Sequence, residues 1–306
     1  MPHTSAPRSG VALLVVAAVL WGTGGVLGTA LGRSADLPST AVAAYRLGLG
    51  GLMLLAVVAA TGGVLPRGRP VWRRIAVIGT LAAVFQGAYF AATVTAGVAA
   101  ATLVTIGSAP VVVVLVESLT ARRRPAGAVV RTVVVGVAGL GLLVGSPADG
   151  DLRSTVVGGA LAVVSGSAFA TMTLVGRRHA AQGDDTVVTG WSFVLGGALL
   201  AVAATATDRT ALLPVVSVTS ILLVLSFALV PTAVAYSAYF RGLRTAAAST
   251  AAVVALLEPL TGTVLAVILL DERLTAVGAV GAVLLLVSVV DAGVTHARTN
   301  AGGAHA

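Results

Sequence analysis

The chain has 306 residues, of which 57% are hydrophobic and only 10% are Asp, Glu, Lys or Arg, against about 25% charged residues in a soluble domain. With a mean hydropathy of +1.02, this excludes a water-soluble fold and identifies a polytopic membrane protein. The net charge of +8 comes entirely from arginines in short segments between apolar runs; that distribution sets membrane topology rather than a nucleic-acid-binding face. There is no cysteine, and His3, His179, His296 and His305 fall in tails or a loop, so no disulfide, thiolate or metal site is expected, and no cofactor.

A membrane-spanning helix needs about 20 residues. The first span is predicted over 11–31. It follows Arg8 as a signal peptide would, but it is long enough to cross and is read as a retained transmembrane helix. It carries Trp21 at mid-depth and a glycine-rich stretch, Gly22, Gly24, Gly25 and Gly28, which permits close helix approach. GTGG there is no phosphate loop, because it lacks the GK[ST] ending. The second span, 39–60, contains Arg46, roughly 12 Å from its outer end at helical rise. The third, 73–93, places Gln86, Tyr89 and Phe90 on one helical face. A weak break at Thr95–Gly97 separates it from the fourth, 98–118, which carries Pro110. Spans over 127–146, 155–175 and 187–206 follow. The eighth, 214–237, groups Pro231, Tyr236, Tyr239 and Phe240 near its inner end. The ninth, 247–269, carries Glu258 and Pro259, and the tenth covers 275–293.

Arginine placement orients these spans. With the N-terminus inside, inner segments hold Arg8, Arg67, Arg69, Arg73, Arg74, Arg122, Arg123, Arg124, Arg131, Arg177, Arg178, Arg241, Arg244 and Arg298. Outer segments hold only Arg33, Arg153, Arg209 and Arg273. The bias puts both termini in the cytoplasm and requires an even number of spans.

Aligning Pro110 with Pro259 lays the fourth span over the ninth, with Ala109 opposite Glu258 and Leu195 opposite Arg46. The chain thus reads as an all-α membrane protein of ten transmembrane helices in two inverted five-helix repeats. The repeats cover 11–146 and 155–293, with short cytoplasmic tails at 1–10 and 294–306. Five spans per half is an odd number, so the second half is inserted upside down. Inverted repeats of this kind support alternating access around a cavity between the halves.

The residues expected to carry function are those that lipid penalises. A carboxylate at mid-span costs roughly 2.5–3.5 kcal/mol on insertion scales. Glu258 therefore holds a substrate amine, carries a coupling proton, pairs with Arg46, or makes a structural hydrogen bond to a neighbouring helix. Arg46 snorkels outward, binds a substrate carboxylate, caps a helix or neutralises Glu258. Trp21, Gln86, Tyr89, Tyr236 and Tyr239 are candidate cavity-wall residues, with helix packing or interfacial anchoring as the alternative. Pro110, Pro231 and Pro259 are candidate helix breaks or gates.

Several of these residues also carry a family resemblance. VLWGTGGVLG with Trp21 and Gly22, AVAAYRLGLGGL with Arg46, and LLEPLTGTVLAVILLDERL with Glu258, Pro259, Leu260 and Glu272 to Leu274 resemble the drug/metabolite transporter superfamily. They are most similar to bacterial ten-helix permeases with two EamA-type domains. The first half departs from that pattern, with ARRRP where the family often has a GERL-like turn. Asp271 and Glu272 are read as helix-end anchors favoured by the dipole of the tenth helix.

The resemblance implies a secondary transporter in the bacterial cytoplasmic membrane, exporting small metabolites, amino-acid-like compounds or drugs. Proton coupling, exchange and facilitated diffusion all stay open, as do a monomer and a homodimer. The partners are a small-molecule solute and the lipid bilayer. A membrane scaffold or sensor is the alternative. An intramembrane enzyme is disfavoured, because no histidine or acid pair lies within a span.

Overall fold

The computed structural model describes residues 6–62, 66–96, 98–144, 152–178, 185–270 and 276–302. Asp271 and Glu272 lie outside the described residues. The described residues are helical throughout, with no strand. In chain order the helices are α1 (Ala6–Gly22), α2 (Gly24–Ala35), α3 (Ser39–Ala60), α4 (Arg69–Ala96), α5 (Val98–Ala121), α6 (Gly127–Val144), α7 (Leu152–Arg178) and α8 (Asp185–Thr207). Then come α9 (Val218–Ala228), a π-helical segment (Leu229–Val234), α10 (Ala235–Gly242), α11 (Ala248–Val254), α12 (Leu257–Leu270) and α13 (Ala276–Gly302).

Among these residues, 7 helical segments, from Gly10–Ala35 to Val218–Gly242, are long and apolar enough to cross a membrane. Shorter apolar helices over Gly127–Leu142, Ala248–Gly262 and Ala276–Ala292 fall where the fifth, ninth and tenth spans are predicted. Large aliphatic side chains such as Val94, Leu119, Val218 and Ile268 face outward, while alanines such as Ala17, Ala18, Ala41, Ala43 and Ala170 are fully buried. Lipid solvates the large apolar side chains. Small residues inside let backbones approach, and that contact takes over from hydrophobic exclusion as the packing force. One close case is α3 on α8, where a β-carbon at Gly197 would stand 2.5 Å from the Gly48 backbone nitrogen.

Packing follows the repeat. Exchanging the halves maps α1–α2 onto α7, α3 onto α8, α4 onto α9–α10, α5 onto α11–α12, and α6 onto α13. The pairs α3 with α8 and α6 with α13 map onto themselves. The packing of α4 on α7 maps onto that of α10 on α1, and α5 on α7 onto α12 on α1.

Three predicted spans are not single uniform helices. The first is interrupted at Thr23, whose hydroxyl donates to the Leu20 carbonyl at 2.7 Å. The eighth begins later than predicted, because Ser217 and Ser220 form a reciprocal cap that starts α9. Farther along, Pro231 lacks a backbone donor, and the helix widens into a π turn around it rather than breaking. The ninth is interrupted at Ala255–Leu256, just ahead of Glu258 and Pro259. Pro259 therefore sits in the first turn of α12, where its missing N–H breaks no helical hydrogen bond. Pro110, by contrast, lies inside the continuous α5. Residues 6–10 and 294–302, predicted as tails, continue α1 and α13.

Candidate functional site

A cavity of about 390 Å³ is enclosed by α2, α3, α4, α5, the end of α9 and the start of α12. Its deep end holds Arg46, Gln86 and Glu258. Its mouth is marked by Arg33, Ser39 and Thr93, at the C-terminal end of α2, the N-terminal end of α3 and the C-terminal end of α4. The walls are aromatic and small: Phe85, Tyr89, Phe90 and Phe227 face Gly24, Gly25 and Gly28. An apolar pocket with a few convergent polar groups is what a small-molecule site requires.

Arg46 is fixed by the distortion in the facing repeat. Its Nε donates to Thr232 Oγ1 at 3.2 Å and its Nη2 to the Pro231 carbonyl at 3.3 Å. Thr232 in turn donates to the Phe227 carbonyl at 3.0 Å. The guanidinium lies 5.1 Å from the Phe227 ring centroid, within cation–π range. The π turn thus supplies both acceptors that hold the charge at the cavity.

Glu258 enters from the start of α12, and its carboxylate makes no hydrogen bond or ion pair among the described residues. Arg46 and Glu258 share the cavity but are not within salt-bridge distance of each other. Gln86 is buried at 2% exposure, and its Nε2 lacks a hydrogen-bond partner among those residues. The hydroxyls of Tyr89 and Thr102 share a hydrogen bond at 2.9 Å, tying α4 to α5. Thr105 donates to the Ala162 carbonyl of α7 at 3.2 Å.

Trp21, Tyr236 and Tyr239 do not line this cavity. They belong to a buried aromatic plug with Phe85, Phe169, Phe193 and Phe240. Trp21 lies 4.9 Å from both Tyr236 and Tyr239, and 5.8 Å from Phe169. Phe85 joins cavity wall to plug, 5.4 Å from Phe169. Tyr239 and Thr173 share a hydrogen bond at 2.6 Å. The spacing that places aromatics on one helical face therefore marks two sites, an open cavity and a closed plug.

Beyond the plug, at the end where α4 and α8 begin, lies a cluster absent from the sequence-based candidates. Arg74 donates to Asp185 at 3.2 Å, with both side chains about 5% exposed or less. Arg244 lies 3.5 Å from the other Asp185 oxygen. The signal was the acid of GDD at the start of the seventh span, close to arginines read only as topology markers. Thr102, Thr105 and Phe227 are also cavity residues that sequence reasoning passed over; the first two stand out only as hydroxyls three apart in an apolar run.

A family model for the EamA-like transporter family matches residues 8–145 and again 156–291. The chain is 28% identical over 278 residues to the uncharacterized transporter YwfM of Bacillus subtilis (strain 168), covering 90% of this chain and 91% of that protein. It is 27% identical over 288 residues to the uncharacterized inner membrane transporter YicL of Salmonella typhimurium (strain LT2), covering 92% and 94%. A protein of known crystal structure shares the fold with a TM-score of 0.80 at 23% identity, over 96% of this chain and 99% of its own. With its apolar helices and two matched repeats, the chain is a multi-pass membrane protein and belongs to the EamA-like transporter family.

Proposed function

We propose that the protein is a secondary transporter that exports small metabolites, amino-acid-like compounds or drugs across the bacterial cytoplasmic membrane by alternating access. In this reading ten helices cross the membrane in two inverted repeats, and both termini are cytoplasmic. The observation that carries it is one cavity, open at one end and plugged at the other, whose deep polar groups come from both matched repeats: Arg46 and Gln86 from the first, Glu258 from the second. Arginine bias supports a cytoplasmic plugged end, and the curated relatives carry transporter names.

A solute with a carboxylate and an amine fits the charge pattern, with Arg46 facing the acid and Glu258 the base. Phe85, Phe90 and Phe227 supply apolar surface for the remainder. Glu258 is also the group suited to carry a coupling proton, since no protein cation lies within ion-pair distance of it among the described residues.

The test is flux in proteoliposomes of purified protein, using amino acids and amphipathic drugs with and without a proton gradient. Saturable, protein-dependent movement of a zwitterion is expected. Folded protein that moves none of these solutes under either condition would sink the reading.

A further inference from the structure

The sealed end of the molecule is closed by two layers of different chemistry. The aromatic plug is apolar and self-complementary. The layer beyond it is ionic and centres on Asp185, the first residue of α8, buried at 5% exposure. Arg74 reaches it from α4, and Arg244 from the connection between α10 and α11. Arg74 also donates to the Gly176 carbonyl near the end of α7 at 3.4 Å. Two more arginines tie the second repeat to itself at this end: Arg177 donates to the Ala246 carbonyl at 3.0 Å, and Arg241 to Thr186 at 3.4 Å. Arg74 lies in the first matched repeat, whereas Asp185 and Arg244 lie in the second. Asp185 therefore joins the halves at the end opposite the cavity mouth, between α4 and α8.

The placement matters because of what the same helices carry. α4 holds Gln86 and Tyr89 in the cavity and Arg74 at the seam. α8 holds Phe193 in the plug and Asp185 at the seam. Neither helix can part from the other at this end while Asp185 holds Arg74. A buried ion pair also suits a reversible closure. Closed, the charges compensate each other for lost water; open, water hydrates both, so the two states lie close in free energy.

We infer that Asp185 is a gating residue: its carboxylate latches the sealed end by holding Arg74 and Arg244, and releasing them turns the cavity toward the opposite face. This rests on the alternating-access reading above. It predicts that weakening the latch opens the sealed end and closes the mouth together.

The natural chain has no cysteine, so single thiols report without background. Ser192 is fully buried between plug and latch, where its hydroxyl donates to the Ile75 carbonyl at 3.2 Å; S192C reports the sealed end. T93C reports the mouth. Maleimide labelling rates are measured on full-length protein in nanodiscs, where both faces are accessible. D185N is expected to raise labelling of S192C by about tenfold and to lower that of T93C by a similar factor. R244Q removes only the half-exposed partner and is expected to shift both rates the same way by about threefold, which keeps the test available if D185N fails to fold. R131Q breaks the Arg131–Asp291 pair, which also links the halves but lies between α6 and α13 rather than between α4 and α8, and should change neither rate.

Unchanged rates in the latch variants, or a rise at both positions, would overturn the inference, since general loosening exposes both thiols. Absence of solute flux in the natural protein would count against the transport reading alone, because the labelling rates are read without any solute.

Discussion

Gly22 lies directly against the backbone of Glu258. A β-carbon at Gly22 would stand 2.9 Å from the Glu258 carbonyl oxygen and 2.8 Å from Thr261 Cγ2. Both residues adjoin interruptions, Gly22 before the break at Thr23 and Glu258 after the break at Ala255–Leu256. The discontinuous parts of the first and ninth spans therefore meet at Gly22, which leaves room for the Thr261 side chain and the Glu258 carbonyl. Gly22→Val should destabilise the protein by about 1–3 kcal/mol through overpacking and displace Glu258 from the cavity. Thermal melting in detergent and flux in liposomes check the two effects; a full-activity, full-stability variant would contradict the contact.

Arg46 holds its position through a fork of donors onto Thr232 and Pro231. Lysine keeps the charge but cannot reproduce that fork. Arg46→Lys should therefore lose transport by about tenfold or more, with a stability loss of at most about 1.5–3 kcal/mol, the range for hydrogen bonds to a charged group. The comparison is flux against unfolding midpoint in the same preparation. Equal activity of the lysine variant would show that charge alone suffices.

Glu258 is the titratable carboxylate of the deep cavity. Glu258→Gln preserves shape and removes the acid. Uptake rates measured across pH 5.5 to 8.5 should become flat in this variant, while the natural protein responds to an imposed proton gradient. A retained pH profile in Glu258→Gln places the coupling proton elsewhere.

Gly25 lines the cavity, and a β-carbon there meets no heavy atom within 4 Å. Gly25→Leu should project into the free volume and leave the helix packing intact. Flux of bulky solutes is expected to fall first, with small zwitterions retained and the melting temperature nearly unchanged. A uniform loss for all sizes would argue against a steric role.

Much of the architecture is written in the apolar periodicity and the arginine-bearing breaks. Runs of Val, Leu and Ala between turn residues locate the helical segments, because lipid demands length and apolarity from each span. The interruptions were harder to place. Pro110 and Pro259 share a sequence context, yet one rides inside α5 at the loss of a helical hydrogen bond while the other follows a break and loses none. Helical spacing gathers Gln86 with Tyr89, and Tyr236 with Tyr239, but spacing within a helix carries no record of which end of the bundle is closed. That is why one pair lines the cavity wholly and the other is buried with Trp21. Asp185 escaped notice because an acid at a span boundary costs little there. Its significance lies in the arginines brought to it from α4 and from the connection after α10.

Pro231 does not touch the cavity, yet the acceptors that aim Arg46 exist because its ring opens the helix there. The position of the cavity guanidinium in one half of the molecule is thus set by a backbone defect in the other. A change at Pro231 would re-aim the cavity guanidinium while every cavity-lining side chain stayed the same. Divergence in what such proteins carry can therefore begin at a position that no solute ever meets.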